Sequence, residues 1–190
     1  ELIESIGRAE NGMAWRLSFS QLQGAWDFDR GVLMAGPGEM LPAETRGLHI
    51  RGETTTVRLE DWLNLSRSGE KKVGAADRIR SIDLQVSDLF AIGQHLQDHH
   101  VRLDRSARDW LVQIEGEDVS GSVFGPFDFG GDRAIVVEMA RMRLPGDDVT
   151  PPSVSTLDPR NLPAITLTAE EFALGDRNLG AVEVNLVRTE

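Results

Sequence analysis

The chain contains no cysteine, which excludes disulfides, thiolate metal sites and cysteine nucleophiles together. Tyrosine is also absent, so the aromatic content is four Trp and seven Phe. No apolar run approaches the roughly 20 residues of a membrane-spanning helix. No signal-peptide pattern is present and the first residue is Glu1, which points to a piece of a longer chain. Positive charge is scarce: 20 basic against 31 acidic residues give a net charge of −11. That balance argues against holding a nucleic acid or an anionic membrane surface by bulk charge. The 190 residues, 40% hydrophobic and 27% charged, suit one large or two small folded domains.

Catalytic constellations are missing as well. His95, His99 and His100 are the one histidine cluster, but their surroundings alternate like a strand, so His99 and His100 point opposite ways. They read as surface or edge histidines rather than a metal face. Asp147-Asp148 and Glu170-Glu171 are adjacent acids, which do not converge on a strand or loop. Gly121-Ser122 lacks a nucleophile-elbow pattern. The glycines from Gly125 to Gly131 have no lysine and no helix after them, so they are not a phosphate loop. No cofactor or metal is expected. Trp15, Trp26, Trp62 and Trp110 are either core residues or stacking platforms for a sugar.

What the chain does have is alternation. From Ile79 to Val123, Ile82, Leu84 and Val86 alternate with polar residues, as do Val101 and Leu103, then Trp110, Val112 and Ile114. Period 2 sends alternate residues to opposite faces of a sheet, so this stretch predicts an antiparallel meander with one apolar face. Glu115–Asp118 is the expected turn of a hairpin that leads into Val119–Val123. Met13–Ser20 alternates in the same way. Gly24–Asp29 and Val32–Ala35 read as short strands around an Asp29-Arg30-Gly31 turn, and Gly47–Gly52 as another. Arg133–Leu144 reads as a strand around Ile135 and Val137 whose phase slips near Ala140, which a bulge would explain; a helix is the competing reading, since the residue types permit one, and the Ile-Val-Val core favours the strand. Val57–Leu65 is the one helix candidate, with Leu59, Trp62 and Leu65 on one side. Five of the eight prolines fall in Pro145–Pro163, an extended connector.

The pattern repeats. Ile165, Leu167, Ala169 and Phe172 stand 83 positions after Ile82, Leu84, Val86 and Leu89. Val182, Val184 and Leu186 stand 83 after His99, Val101 and Leu103. The expected organisation is an N-terminal β segment with a short helix (1–65), a linker (66–78) and a meander module (79–190) with a partial repeat at 164–188. The fold class is mainly β: a curved, twisted antiparallel sheet forming an open apolar groove, with one short helix.

From Ile79 onward the sequence resembles the YhdP proteins of Gram-negative bacteria, within the AsmA-like group. The resemblance runs through Leu84, Val86, Leu89, Gly93, Leu96, Asp98, Val101, Arg102 and Leu103. It continues in Asp109, Trp110, Val112, Ile114, Val119, Gly121 and Val123, and in the Met142–Pro145 strand end. Its most specific element is Asp158-Pro159-Arg160, Leu162-Pro163, Ile165 and Leu167, leading to Leu179, Gly180, Val184 and Leu186. It implies a bridge-like lipid transfer protein, anchored at the inner membrane through regions outside this chain and extending through the periplasm. Phospholipid and the rest of its own longer chain would be its partners, with no enzymatic activity. On that reading the groove is lined by Ile82, Leu84, Val86, Val101, Leu103, Trp110, Val112, Ile114, Val119, Val123, Ile135, Val137, Ile165, Leu167, Val182, Val184 and Leu186. A sheet with one apolar face can also close on a second sheet, so a β-sandwich module binding a glycan or a protein is the alternative.

Overall fold

The computed structural model describes residues 2–10, 12–22, 24–58, 78–91, 94–126, 133–145 and 164–187. Among the described residues, eleven strands form one sheet in sequence order. They are β1 (Leu2–Arg8), β2 (Ala14–Leu22), β3 (Ala25–Ala35), β4 (Gly47–Arg58), β5 (Ile79–Ala91), β6 (Gln94–Arg105), β7 (Asp109–Glu115), β8 (Val119–Pro126), β9 (Ile135–Leu144), β10 (Ile165–Leu174) and β11 (Arg177–Leu186). The alternating stretch from Ile79 to Val123 folds as β5–β8, and β1–β3 of the first forty residues join the same sheet. No second sheet faces it among the described residues, which removes the structural basis of a sandwich.

Three neighbouring pairs, β3–β4, β4–β5 and β9–β10, are parallel. The other seven are antiparallel. Alternation reads the same in both cases, so direction was not visible in the pattern. Asp29-Arg30-Gly31 is not a turn: β3 runs straight through it, and Asp29 is the extra residue of a bulge between the Ser18–Arg30 and Phe19–Phe28 pairs. β1 was not anticipated. Of the expected helix, Val57 and Arg58 belong to β4, and residues 59–65 lie outside the described residues, as do 66–77 of the expected linker.

Two features keep the apolar residues on one side. The β4–β5 and β5–β6 pairings pass over Thr55, Ser87 and Asp98, and Asp98 takes a left-handed φ of 54°. Skipping one residue in each strand returns Leu89 and Leu96 to the face of Val86, where all three are buried in one cluster. The expected bulge at Ala140 is present: it lies unpaired between Met139 and Arg141, opposite Gly121 and Ser120. Positions 83 residues apart make matching cross-strand pairs. Ile82 pairs with Leu103 and Ile165 with Leu186; Leu84 pairs with Val101 and Leu167 with Val184. Beyond the Glu170 irregularity the second copy slips by one, with Phe172 on Gly180 where Leu89 meets Leu96.

A small second core lies on the opposite face at the N-terminal end. Parallel β3 and β4 need a connection that returns along the sheet. Residues 36–46 make it, with Ala43 buried, and Ala14, Val32, Met34 and His49 are buried on the outer face. His49 is tied in by Nδ1 at 2.7 Å from Ser81 Oγ and Nε2 at 3.2 Å from Thr45 Oγ1. Burial pushes its pKa below 6.5, with Arg51 and Arg80 adding to the fall against the opposing Thr45 carbonyl and Asp104. The neutral ring is therefore the folded form. Below about pH 6.5 the unfolded chain takes the proton first, so His49 favours folding above that pH and its contribution is lost as pH falls. Urea unfolding between pH 7.5 and 5 should show stability dropping toward acid, and His49→Gln should flatten part of that drop.

Candidate functional site: an apolar concave face

Cross-strand partners share a face, so the register traces the apolar surface. One rung crosses the whole sheet: Gly7, Trp15, Leu33, Ile50, Ile82, Leu103, Val112, Val123, Val137, Leu167, Val184. It contains no polar side chain. At about 4.8 Å per strand it runs roughly 48 Å, at right angles to the strands. A second rung carries Ala35, Gly52, Leu84, Val101, Ile114, Gly121, Met139, Ala169 and Val182. Trp110, Ile135, Ile165 and Leu186 continue the face on one side, and Val86 and Val119 on the other. All seventeen residues named from the sequence thus share one face of the sheet.

That face is concave. Ile82, Leu84 and Val86 are buried with no second layer over them, and they belong to one contact cluster with Val119, Met139 and Ala169 on β8–β10. Side chains of a single sheet cover one another to that extent only when the sheet curls toward them. The burial is uneven. Val86 is 0% exposed, while Val184 and Leu186 near the C-terminal edge are 42% and 51% exposed, as is Ile3 at the other edge at 47%. Two tryptophans lie over glycines on this face, Trp15 on Gly7 and Trp110 on Gly125, and Trp110 Nε1 donates to the Pro126 carbonyl at 3.2 Å. Trp26 is exposed, and Trp62 lies outside the described residues.

His99 departs from the expectation of a surface residue. It pairs with Val86 on the concave face and is fully buried. Its Nδ1 donates to the Gln97 carbonyl at 2.7 Å, and Nε2 has no partner. His100 and His95 do face outward: His100 Nε2 lies 2.6 Å from Asp83 and His95 Nε2 2.7 Å from Asp88. Partial burial raises the Asp83 carboxyl, but the His100 hydrogen bond and charge, with Arg102 at 3.5 Å, outweigh it and hold the pKa below the usual value. These pairs belong to a charged outer face. Among the described residues no three acids or histidines converge as a metal site, and no helix is long and apolar enough to cross a membrane.

A family model described as YhdP protein matches residues 5–190. The chain belongs to the YhdP family. No curated protein and no solved structure matches it. In this YhdP chain the described residues that carried the resemblance sit on β5–β11 or, for Pro145, directly after β9, while Gly93 and the Asp158–Pro163 connector lie outside the described residues. Two parts of the face were not anticipated from the sequence. One is the contribution of β1–β4, which short or unrecognised strands concealed. The other is a depression of about 320 Å³ where β4 runs past the end of β3, lined by Ala35, Ile50, Thr54, Thr56, Val57, Arg58 and Leu84.

Proposed function

We propose that this chain is a length of a periplasmic lipid conduit, in which phospholipid acyl chains lie along the concave face and pass between inner and outer membrane. The observation that carries this reading is the unbroken apolar rung through all eleven strands. A folded core needs apolar residues where neighbours cover them. A face that stays apolar out to both edges, where it is about half exposed, offers surface to something else. Acyl chains fit it without any polar site, at about 0.8 kcal/mol per CH₂ buried. Such a surface discriminates little among lipids, and it needs no catalytic residue. Membership of the YhdP family supports the same reading, with the membrane anchor supplied by regions beyond this chain and no nucleic-acid partner.

Native mass spectrometry of the purified chain should show co-purifying phospholipid. Val184→Asp and Val112→Asp place a charge on the rung where side chains are partly exposed, and each should cut lipid occupancy severalfold in a protein that still folds. A wild-type chain that never carries lipid, or a folded Val184→Asp, Val112→Asp double variant with undiminished occupancy, would sink the proposal.

A further inference from the structure

Glycine weakens a strand, because it costs the most entropy to order and offers no side chain to pack; inside one it often marks a close approach. Gly7 in β1 and Gly125 in β8 are such residues, and both belong to the concave face. Neither adopts a left-handed φ, so the backbone does not require glycine at either position. What requires it is the residue across the strand. Gly7 pairs with Trp15 and Gly125 with Trp110. The three atoms that a Cβ at Gly7 would meet first all belong to the Trp15 indole, well inside contact distance. A Cβ at Gly125 would lie 2.8 Å from Trp110 Cζ2 and 3.1 Å from its Cε2. Each indole therefore lies across its glycine, whereas a strand side chain ordinarily stands off the sheet. Trp110 is pinned there by its Nε1 hydrogen bond to the Pro126 carbonyl.

We propose that Gly7 and Gly125 are positioning residues for the acyl-chain track: they let Trp15 and Trp110 lie flat, and so set the clearance above the apolar face. The inference rests on the conduit reading and deepens it. Trp15 stands on the long rung itself, and Trp110 beside it, next but one to Val112 on β7. Tryptophan is the largest side chain, and the rung around it is built of Leu, Ile and Val. An indole standing off the sheet would interrupt an acyl chain lying along that rung. Laid over a glycine, the same indole offers the chain the broad apolar face of its ring. The ring is floor or barrier according to whether the residue opposite has a Cβ.

The test titrates dioleoyl phosphatidylethanolamine in detergent onto the delipidated chain and reads occupancy by native mass spectrometry, with a thermal melt of each variant. Gly125→Val should weaken binding about tenfold, the loss of contact over about two methylenes. Gly125→Ala, whose single added carbon already meets the ring, should weaken it less but in the same direction, and it carries the test where the valine variant does not fold. Combining Trp110→Leu with the Gly125 substitution should recover most of the binding, because a leucine standing off the sheet matches its neighbours in size. Wild-type binding by a folded Gly125 variant overturns the positioning role and leaves the conduit reading standing. A double variant as weak as the Gly125 variant alone overturns it as well, since the loss then comes from the strands and not from the indole. A wild-type chain that binds no lipid overturns both readings.

Discussion

Gly52→Ala should destabilise the chain by about 4 kcal/mol, lowering its thermal midpoint by roughly 10 °C. Gly52 sits in mid-strand on the concave face, between Ala35 of β3 and Leu84 of β5, with φ at 117°. That backbone conformation strains any residue with a Cβ, at about 1–3 kcal/mol. Space adds a second penalty. A Cβ built there falls well inside contact distance of the Ala35 carbonyl oxygen. The obstacle is main chain held in the β3–β4 pairing rather than a side chain that could swing away, so relief requires β3 to move. Gly180→Ala is the control: φ is similarly positive at 73°, but nothing lies within 4 Å of the added carbon. It should cost only about 1 kcal/mol, and comparing the two by thermal melting separates strain from collision. Equal effects would mean that the close approach of β3 to β4 contributes nothing.

What was legible in the sequence follows from the same geometry. Period 2 decides which face a residue occupies, so the seventeen positions on β5–β11 could be grouped from alternation alone. Alternation does not record direction, and the parallel pairs β3–β4, β4–β5 and β9–β10 were invisible. It also fails where a strand is not amphipathic. β1 carries Leu2 and Ile6 on one face and Ile3 on the other, all exposed at the sheet edge. Glu53 to Arg58 offered no period because the skipped Thr55 shifts its phase. Asp29-Arg30-Gly31 has turn chemistry, and β3 uses it to bulge instead. His99 looked like one member of a polar cluster, yet its pairing with Val86 sends it inward. The outer core around Val32, Met34 and His49 depends on where residues 36–46 fold back, which no local pattern encodes.

Ile82→Asp and Val184→Asp are the same kind of substitution on the same rung, and they should have opposite consequences. Ile82 is 5% exposed, with Ile50 and Leu103 beside it on the neighbouring strands. An aspartate there is a buried carboxylate whose cross-strand partners are both apolar, so it must take up a proton or drag in water. It also forfeits the burial of the isoleucine, itself about 1.5–3 kcal/mol. A loss above about 4 kcal/mol is expected, against a total stability of about 5–15 kcal/mol for a domain. The cooperative transition in urea should move to much lower denaturant or vanish. Val184 has one cross-strand partner, Leu167, and is 42% exposed. A carboxylate there stays hydrated, and the melting curve should shift by no more than about 1 kcal/mol. If the rung were only a core, the harm done by a charge would track burial and end there. If the rung carries lipid, Val184→Asp should keep its fold and lose its lipid, because a hydrated charge on the exposed part of the track blocks acyl chains without disturbing the strands beneath. Measuring unfolding and lipid occupancy on both variants therefore separates the face as packing from the face as a working surface. A Val184→Asp chain with wild-type stability and wild-type lipid content would assign the whole rung to packing.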